Sequence, residues 1–445
     1  MQFEIPGGRL PHGAIPSAAQ IVWQRGEFAL FVHFGVNTFT GREWGDGKES
    51  PAIFNPTQFN ANQWAQAAKD AGAHHVILTA KHHDGFCLWP TATTNHSVKS
   101  SPWKNGKGDM VREFVDACRS HGLKVGLYLS PWDRNNPAYG DSPAYNKLYL
   151  TQLTELLTQY GELSEIWFDG ACAEGPNGKK QAYDWEAFFS TCAKLQPNAV
   201  TFGDGGSLVR WNGNERGVAG DPNWSTVDPT LIRFPGDSGI DQANDAVARG
   251  AAKSQQLQNG NEGGSVWRPG ESDVSIRPGW FYHEAEDDAV RSVENLVDLY
   301  FKSVGRNSFL LLNVPPTKAG LFHDIDVARL KGFRQKISQI FAKDFAEGAK
   351  LMRPDDKTIE FHFKTVCKFD VISIEEQIEL GQRVESYRVL YQDVHGVWQW
   401  LIEGHTIGCK KLDRFDPVTA QAIRLEITRS RATPAIRAFG IYKSA

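Results

Sequence analysis

His75-Val-Ile-Leu-Thr-Ala-Lys-His-His-Asp-Gly-Phe86 is a near-continuous apolar run that stops abruptly in two histidines and an aspartate. Such a run reads as a strand buried on both faces, as in a parallel sheet covered by helices. Upstream lie the helix-like Gln63-Trp-Ala-Gln-Ala-Ala-Lys-Asp70, closed by Gly72, and the apolar strand Phe28-Ala-Leu-Phe-Val-His-Phe-Gly35. Downstream the alternation continues with a helix from Asp109 to Ser120, the strand Lys124-Val-Gly-Leu-Tyr-Leu-Ser130 and a helix from Ala144 to Tyr160. The strand Glu165-Ile-Trp-Phe-Asp169, a helix from Trp185 to Leu195 and the strand Ala199-Val-Thr-Phe-Gly203 follow. A helix from Glu284 to Ser303 and the strand Ser308-Phe-Leu-Leu-Leu-Asn-Val314 close the series. No Gly-x-Gly-x-x-Gly loop follows the first strand. A repeated βα unit over about 300 residues therefore predicts an α/β fold of the (β/α)8, or TIM-barrel, kind over a dinucleotide-binding sheet.

Between Asp204 and Gly279 the pattern breaks into Gly-, Trp- and Asn-rich sequence with few clear strands, which predicts functional loops. A charged helix from Asp324 to Phe345 then leads into a different texture. Short alternating strands are expected at Thr358–Phe363, Phe369–Ile378, Glu385–Tyr391, Val397–Ile402, Ala422–Thr428 and Ala438–Tyr442, the pattern of a C-terminal antiparallel β-sandwich. The expected domains are 1–345, the barrel, and 346–445, the sandwich. Nothing from Thr358 to Tyr442 concentrates exposed aromatics, so of the two roles open to the second part, binding glycan or bracing the first, bracing is the one expected.

The composition narrows the function. Lys plus Arg is 48 against 52 for Asp plus Glu, a net charge of −4 with no like-charge block, so a nucleic-acid surface is not expected. No run approaches the roughly 18 apolar residues of a membrane span. Six scattered Cys lack C-x-x-C spacing and so suggest no zinc knuckle or thioredoxin-type motif. Met1 to Gly8 lacks the basic-then-apolar pattern of a signal peptide. Two N-x-S/T sequons, at Asn95 and Asn223, are compatible with secretion but arise often by chance. The 14 Trp and 26 Phe suit stacking on sugar rings or other flat ligands, as well as a large core.

In a barrel, the chemistry gathers at the C-terminal ends of the strands. Those ends give His33, then His82 and His83, then Tyr128 with Trp132 and Asp133, then Asp169. A single histidine at a strand end is commonly structural, but four strands ending in titratable groups point to one mouth. Asp169 reads either as a catalytic carboxylate or as a cap for the following loop. Glu215, in Arg210-Trp-Asn-Gly-Asn-Glu-Arg-Gly217, falls on the loop after the fifth predicted strand. A carboxylic acid among aromatics can stay protonated while its partner is ionised, as glycoside hydrolysis requires. Glu43, Glu262 and Glu271 are competing acids. A zinc hydrolase is the rival reading of the histidines, weakened because His74 and His75 begin the strand that His82 and His83 end.

Phe31-Val-His-Phe-Gly35, Glu43-Trp44, Thr79-Ala-Lys-His-His-Asp-Gly-Phe86, Trp167-Phe-Asp-Gly170 and Trp211-Asn-Gly-Asn-Glu215 together resemble the α-L-fucosidases of glycoside hydrolase family 29. The resemblance continues through Ser272-Asp-Val-Ser-Ile-Arg-Pro-Gly-Trp-Phe-Tyr282 and Leu310-Leu-Leu-Asn-Val-Pro-Pro316. It implies a retaining hydrolase for terminal α-linked L-fucose, needing no cofactor or metal. Asp169 would be the nucleophile, and His33, Glu43, Trp44, His82, His83 and Tyr128 would hold the sugar. The Arg-Trp-x-Gly-Asn-Glu segment is similar to the branch that cleaves α-1,3 and α-1,4 fucose from Lewis-type glycans. That makes Glu215 the acid/base, with Arg210, Trp211 and Trp280 as walls or hydroxyl partners. Members of that branch need a neighbouring galactose and act poorly on simple aryl fucosides. The resemblance also implies a fucosylated oligosaccharide or glycoprotein glycan as partner, and a secreted or periplasmic location. A fucose-binding lectin, a broad-specificity fucosidase and a metal hydrolase are the alternatives.

Overall fold

The computed structural model of the chain describes residues 1–3, 9–239 and 251–444. Eight parallel strands close into a barrel in sequential order: β1 (Phe28–Val32), β2 (His75–Lys81), β3 (Lys124–Leu129), β4 (Glu165–Trp167), β5 (Val200–Gly203), β6 (Val209–Trp211), β7 (Gly270–Ser275) and β8 (Ser308–Asn313). β8 returns to β1 with Phe28 beside Leu310 and Phe31 beside Asn313. Period-2 alternation splits each strand between two cores. Leu30, Val76, Leu78, Leu310 and Leu312 face the surrounding helices, while Ala29, Phe31, Ile77, Tyr128, Trp167, Phe309 and Leu311 fill the interior. The helices start where short polar side chains cap exposed amides: Asn60, Asp109, Asp141, Asp184 and Ser292 each accept from a first-turn N–H.

Two barrel strands lie where the sequence reads as loop. β6 has only three residues, too few for a period to be seen, and β7 reads Gly-Glu-Ser-Asp-Val-Ser, with acids on its inward face. Glu215 consequently follows the sixth strand and not the fifth. Residues 240–250 of the expected loop region lie outside the described residues. The helix expected from Glu284 to Ser303 is two elements, a 3-10 segment Glu284–Ala289 and an α-helix Val293–Lys302, separated by extended Val290. The helix expected to reach Phe345 ends at Ile340.

The C-terminal part is antiparallel: β9 (Lys350–Asp355), β10 (Thr358–Glu376), β11 (Val384–Gln392), β12 (Trp398–His405), β13 (Lys411–Ser430) and β14 (Ile436–Tyr442). The long β10 and β13 each serve more than one partner, β10 pairing with β9 near its start and with β14 near its end. Phe361, Ile372, Tyr387, Leu425 and Phe439 are fully buried in its core. On β12 Trp400 is exposed, and Trp398 lies beneath the Arg424 guanidinium.

A polar seam joins this sandwich to the barrel. Lys411 Nζ donates to Asp221 Oδ2 at 2.7 Å, and Gln382 Oε1 accepts from the Ser225 amide at 2.7 Å. Asn307 holds the centre: its Nδ2 donates to Asn223 O and Ser225 Oγ, both at 3.1 Å, and its Oδ1 accepts from the Cys409 amide at 2.7 Å. Its φ of 57° is one that asparagine tolerates better than most residues. Asn223, one of the two sequons, is buried in this seam and unsuited to carry a glycan, whereas Asn95 is exposed. All six cysteines are free. Asn307→Ala is expected to lower the unfolding free energy by about 2–4 kcal/mol through three lost buried hydrogen bonds and an unfavourable φ, measured by denaturant titration against wild type.

Candidate active site

The ends of β4 to β7 and the loops after β1 and β3 to β6 line a cavity of about 530 Å³, with Asp169, Asp204 and Asp273 together with Trp44, Trp132, Trp167, Phe202 and Trp211 in its wall. Asp169 stands two residues past the last residue of β4. Its Oδ1 accepts from the Ala171 amide at 2.7 Å, and its Oδ2 accepts from the Tyr128 hydroxyl at 3.0 Å. One oxygen thus caps the following loop, as one of the two sequence readings has it, while the carboxylate also lines the cavity. Burial pushes its pKa up to about 6, opposed by the Ala171 and Tyr128 hydrogen bonds, with Asp204 pushing further upward.

The histidines are neutral because burial disfavours the imidazolium; His33 and His83 are lowered to about 3, and His82 well below its ordinary value. Asn313 donates through Nδ2 to Ser275 Oγ at 2.9 Å and to Trp280 O at 2.8 Å, so its Oδ1 accepts from His33 Nδ1 at 2.8 Å. That fixes His33 Nε2 as an acceptor. Ser130 Oγ donates to Trp132 O, so it accepts from His83 Nδ1 at 2.7 Å. His83 Nε2 is thus also an acceptor, 3.6 Å from Asp169 Oδ2. His82 packs against His83 and Tyr128. Neutral imidazoles with a free acceptor suit sugar hydroxyls.

Trp44 is partly exposed and meets His83 and Trp132 edge-on, both at 5.5 Å between centroids. Glu43 reaches across to the loop after β7: Trp280 N donates to its Oε2 at 2.7 Å, and His283 Nε2 lies 2.6 Å from its Oε1. A Cβ on Gly279 would stand 2.6 Å from the same Oε1, so the loop passes too close for a side chain there. This clamp sets Trp280, whose indole donates to Glu215 Oε2 at 3.2 Å. The Glu215 loop is itself fixed by Asn214, whose Nδ2 donates to Val218 O and whose Oδ1 accepts from the Arg216 amide.

Arg210 departs from the sequence reading. It alternates to the outer face of β6, where its guanidinium donates to Leu257 O, Arg268 O and Asn223 Oδ1. It braces the barrel wall and lines no part of the cavity. Trp211, one residue on, points inward and donates to Asp273 Oδ1 at 2.8 Å. Asp133 pairs with buried Lys81 away from the cavity lining, and the competing acid Glu262 is in a surface ion pair with Arg431. Glu271 lies inside the barrel, where Trp167 Nε1 donates to it at 2.9 Å.

Sequence reasoning missed Asp204 and Asp273. Asp204 stands immediately after β5, and Asp169 just past β4, so the same strand-end rule would have found it. Its Oδ1 accepts from the Gly236 amide at 2.9 Å, and burial raises its pKa to about 6. Asp273 had no such signal, because acids at alternate positions read as a solvent face.

A parallel barrel whose mouth gathers buried carboxylates, neutral imidazoles and indole walls is the architecture of a glycoside hydrolase. The family model for α-L-fucosidase matches residues 17–221 and 239–338. Alpha-L-fucosidase 1 of Arabidopsis thaliana is 41% identical, with 96% of this chain and 87% of that protein covered. A glycoside hydrolase 29 family member from an unknown rumen bacterium is 40% identical at a TM-score of 0.89, covering 98% of this chain and 78% of that one. A Ruminococcus gnavus GH29 fucosidase solved in complex with fucose is 33% identical at a TM-score of 0.86, covering 99% and 97%. The chain belongs to the α-L-fucosidase family, glycoside hydrolase family 29.

The hydrogen bonds at Asp169 set its titration. By carboxyl-labelled aspartate NMR, Asp169 is expected to titrate at about pH 6. Tyr128→Phe, which removes a donor to the ionised form, should raise that value, and Asp204→Asn, which removes a like charge, should lower it.

Proposed function

We propose that the protein is a retaining exo-α-L-fucosidase that releases terminal α-1,3- or α-1,4-linked fucose from branched Lewis-type glycans through a fucosyl-Asp169 ester. The observation that carries the reading is Asp169 lining the cavity with Tyr128 donating to one oxygen and the Ala171 amide to the other, which fixes the carboxylate's orientation. In the first step an Asp169 oxygen attacks the anomeric carbon while Glu215 protonates the glycosidic oxygen, and the C–O bond to the leaving sugar breaks. In the second, Glu215 takes a proton from water, the water oxygen attacks the same carbon, and the ester bond to Asp169 breaks. Two inversions give net retention. His33 and His83 accept hydroxyl protons, His82 and Tyr128 complete that side, and Trp44, Trp211 and Trp280 supply apolar walls. Glu43 acts through the loop that it holds. The Arg210-to-Glu215 segment supports the branched-glycan linkage through its likeness to that branch of the family, with Arg210 holding the strand and not the sugar.

Azide separates the two carboxylates. Asp169→Ala should lose at least about 1,000-fold in kcat, and azide should then give β-L-fucosyl azide by direct displacement. Glu215→Ala with azide should give the α-azide, because azide attacks the ester intermediate from the other face. Exchange of these two products would reverse the roles. Fucose release should be faster from a Lewis-type trisaccharide than from an aryl α-L-fucoside. The opposite preference would move the protein to the broad-specificity reading.

A further inference from the structure

Asp273 is a second acid, on the strand against which the Glu215 loop lies. It stands on β7 facing the barrel interior, is 3% exposed and lines the same cavity as Asp169. Backbone contacts bring the Glu215 loop onto it: the Gly217 amide donates to the Asp273 carbonyl at 3.1 Å, and Arg216 forms an antiparallel bridge with Val274. A Cβ on Gly217 would meet Val274 Cγ1 at 2.8 Å, so the two segments lie against each other. Each carboxyl is served by a different indole, Trp211 for Asp273 and Trp280 for Glu215. These indoles stabilise charge without neutralising it. Among the described residues, the charged groups around Asp273 include Glu215 on the facing loop, Glu271 on its own strand, and Asp169, Asp204 and Lys180 on the cavity wall.

We propose that Asp273 is a positioning residue for the acid/base: its carboxyl and that of Glu215 share one proton in the free enzyme, so that Glu215 enters the reaction as an acid. The inference rests on the reading of Glu215 as acid/base. Burial and the adjacent Glu215 and Glu271 carboxylates both push Asp273 toward its protonated form, in keeping with the shared proton. The charge is conserved through the first step. Before it, Asp169 and the pair each carry one negative charge. As the ester forms, Asp169 loses its charge, the proton passes to the leaving oxygen, and the pair becomes doubly ionised. Water then returns the proton as Asp169 is released.

The test is the pH profile of kcat/KM on a Lewis-type trisaccharide. Asp273→Asn keeps the shape and the Trp211 acceptor but removes the charge, so the alkaline limb should move to lower pH by about one unit or more. A folded Asp273→Asn with an unmoved limb overturns the proposal. Trp211→Phe, which withdraws the donor from the Asp273 carboxylate, should move the limb to higher pH. If Asp273→Asn does not fold, this second shift carries the decision, and its absence overturns the proposal equally. Glu215→Gln separates the two levels: wild-type rates from it would sink the acid/base assignment itself, whereas loss of activity there with an unmoved Asp273→Asn limb would sink only the shared proton.

Discussion

Burial strips solvation from a carboxyl group, and four acids of the barrel and its mouth are each met by an indole N–H. Trp23 donates to Glu165 at 2.7 Å, Trp167 to Glu271, Trp211 to Asp273 and Trp280 to Glu215. The four pairs run from the floor, where the helix Ala18–Gly26 plugs the barrel, to the mouth. An indole is a neutral donor, so it supports a carboxylate without cancelling its charge. Glu165 and Glu271 lie against each other, and burial raises both, which favours a proton between them. Four of the 14 Trp belong to this column, where the rings serve as donors and as packing together.

The same constraint shapes the mouth. Burial keeps the imidazoles neutral, and each is turned by one partner, Asn313 for His33 and Ser130 for His83, so that an acceptor is left over. Asn313 also grips the Trp280 carbonyl from β8, while Glu43 grips the Trp280 amide from the loop after β1. The residue that touches Glu215 is thus fixed from two strands that are distant in sequence and adjacent in the closed barrel. The sandwich contributes from behind: Asn223 accepts from Arg210 on the wall and is itself tied to Arg306 and Asn307 at the seam. A continuous polar path leads from the C-terminal sheet to the strand that carries Trp211.

How much of this was legible follows from how far each signal reaches along the chain. The strands β1 to β5 and β8 show as apolar runs, because burial on both faces demands apolar residues in succession. β6 and β7 do not, one being three residues long and the other carrying Glu271 and Asp273 inward. Asp169, His33, His82 and His83 could be found because each follows a strand end, a position defined locally. Arg210 was misplaced for the converse reason: on a strand, neighbours point to opposite faces, and reading Arg210-Trp211 as loop hid that only one of them reaches the cavity.

The sequence by itself determined the alternation that makes a barrel, the change of texture that makes a sandwich, and the motifs that place the chain among the α-L-fucosidases. These are local properties, carried by hydrophobic period, caps and short strings of residues. Only the tertiary structure decided which carboxyls share a cavity, which indole serves each of them, and that Glu43 acts on a loop some 240 residues away. Closure of the sheet is what brings those groups together, and the low dielectric of the closed interior is what gives their proximity its chemical effect.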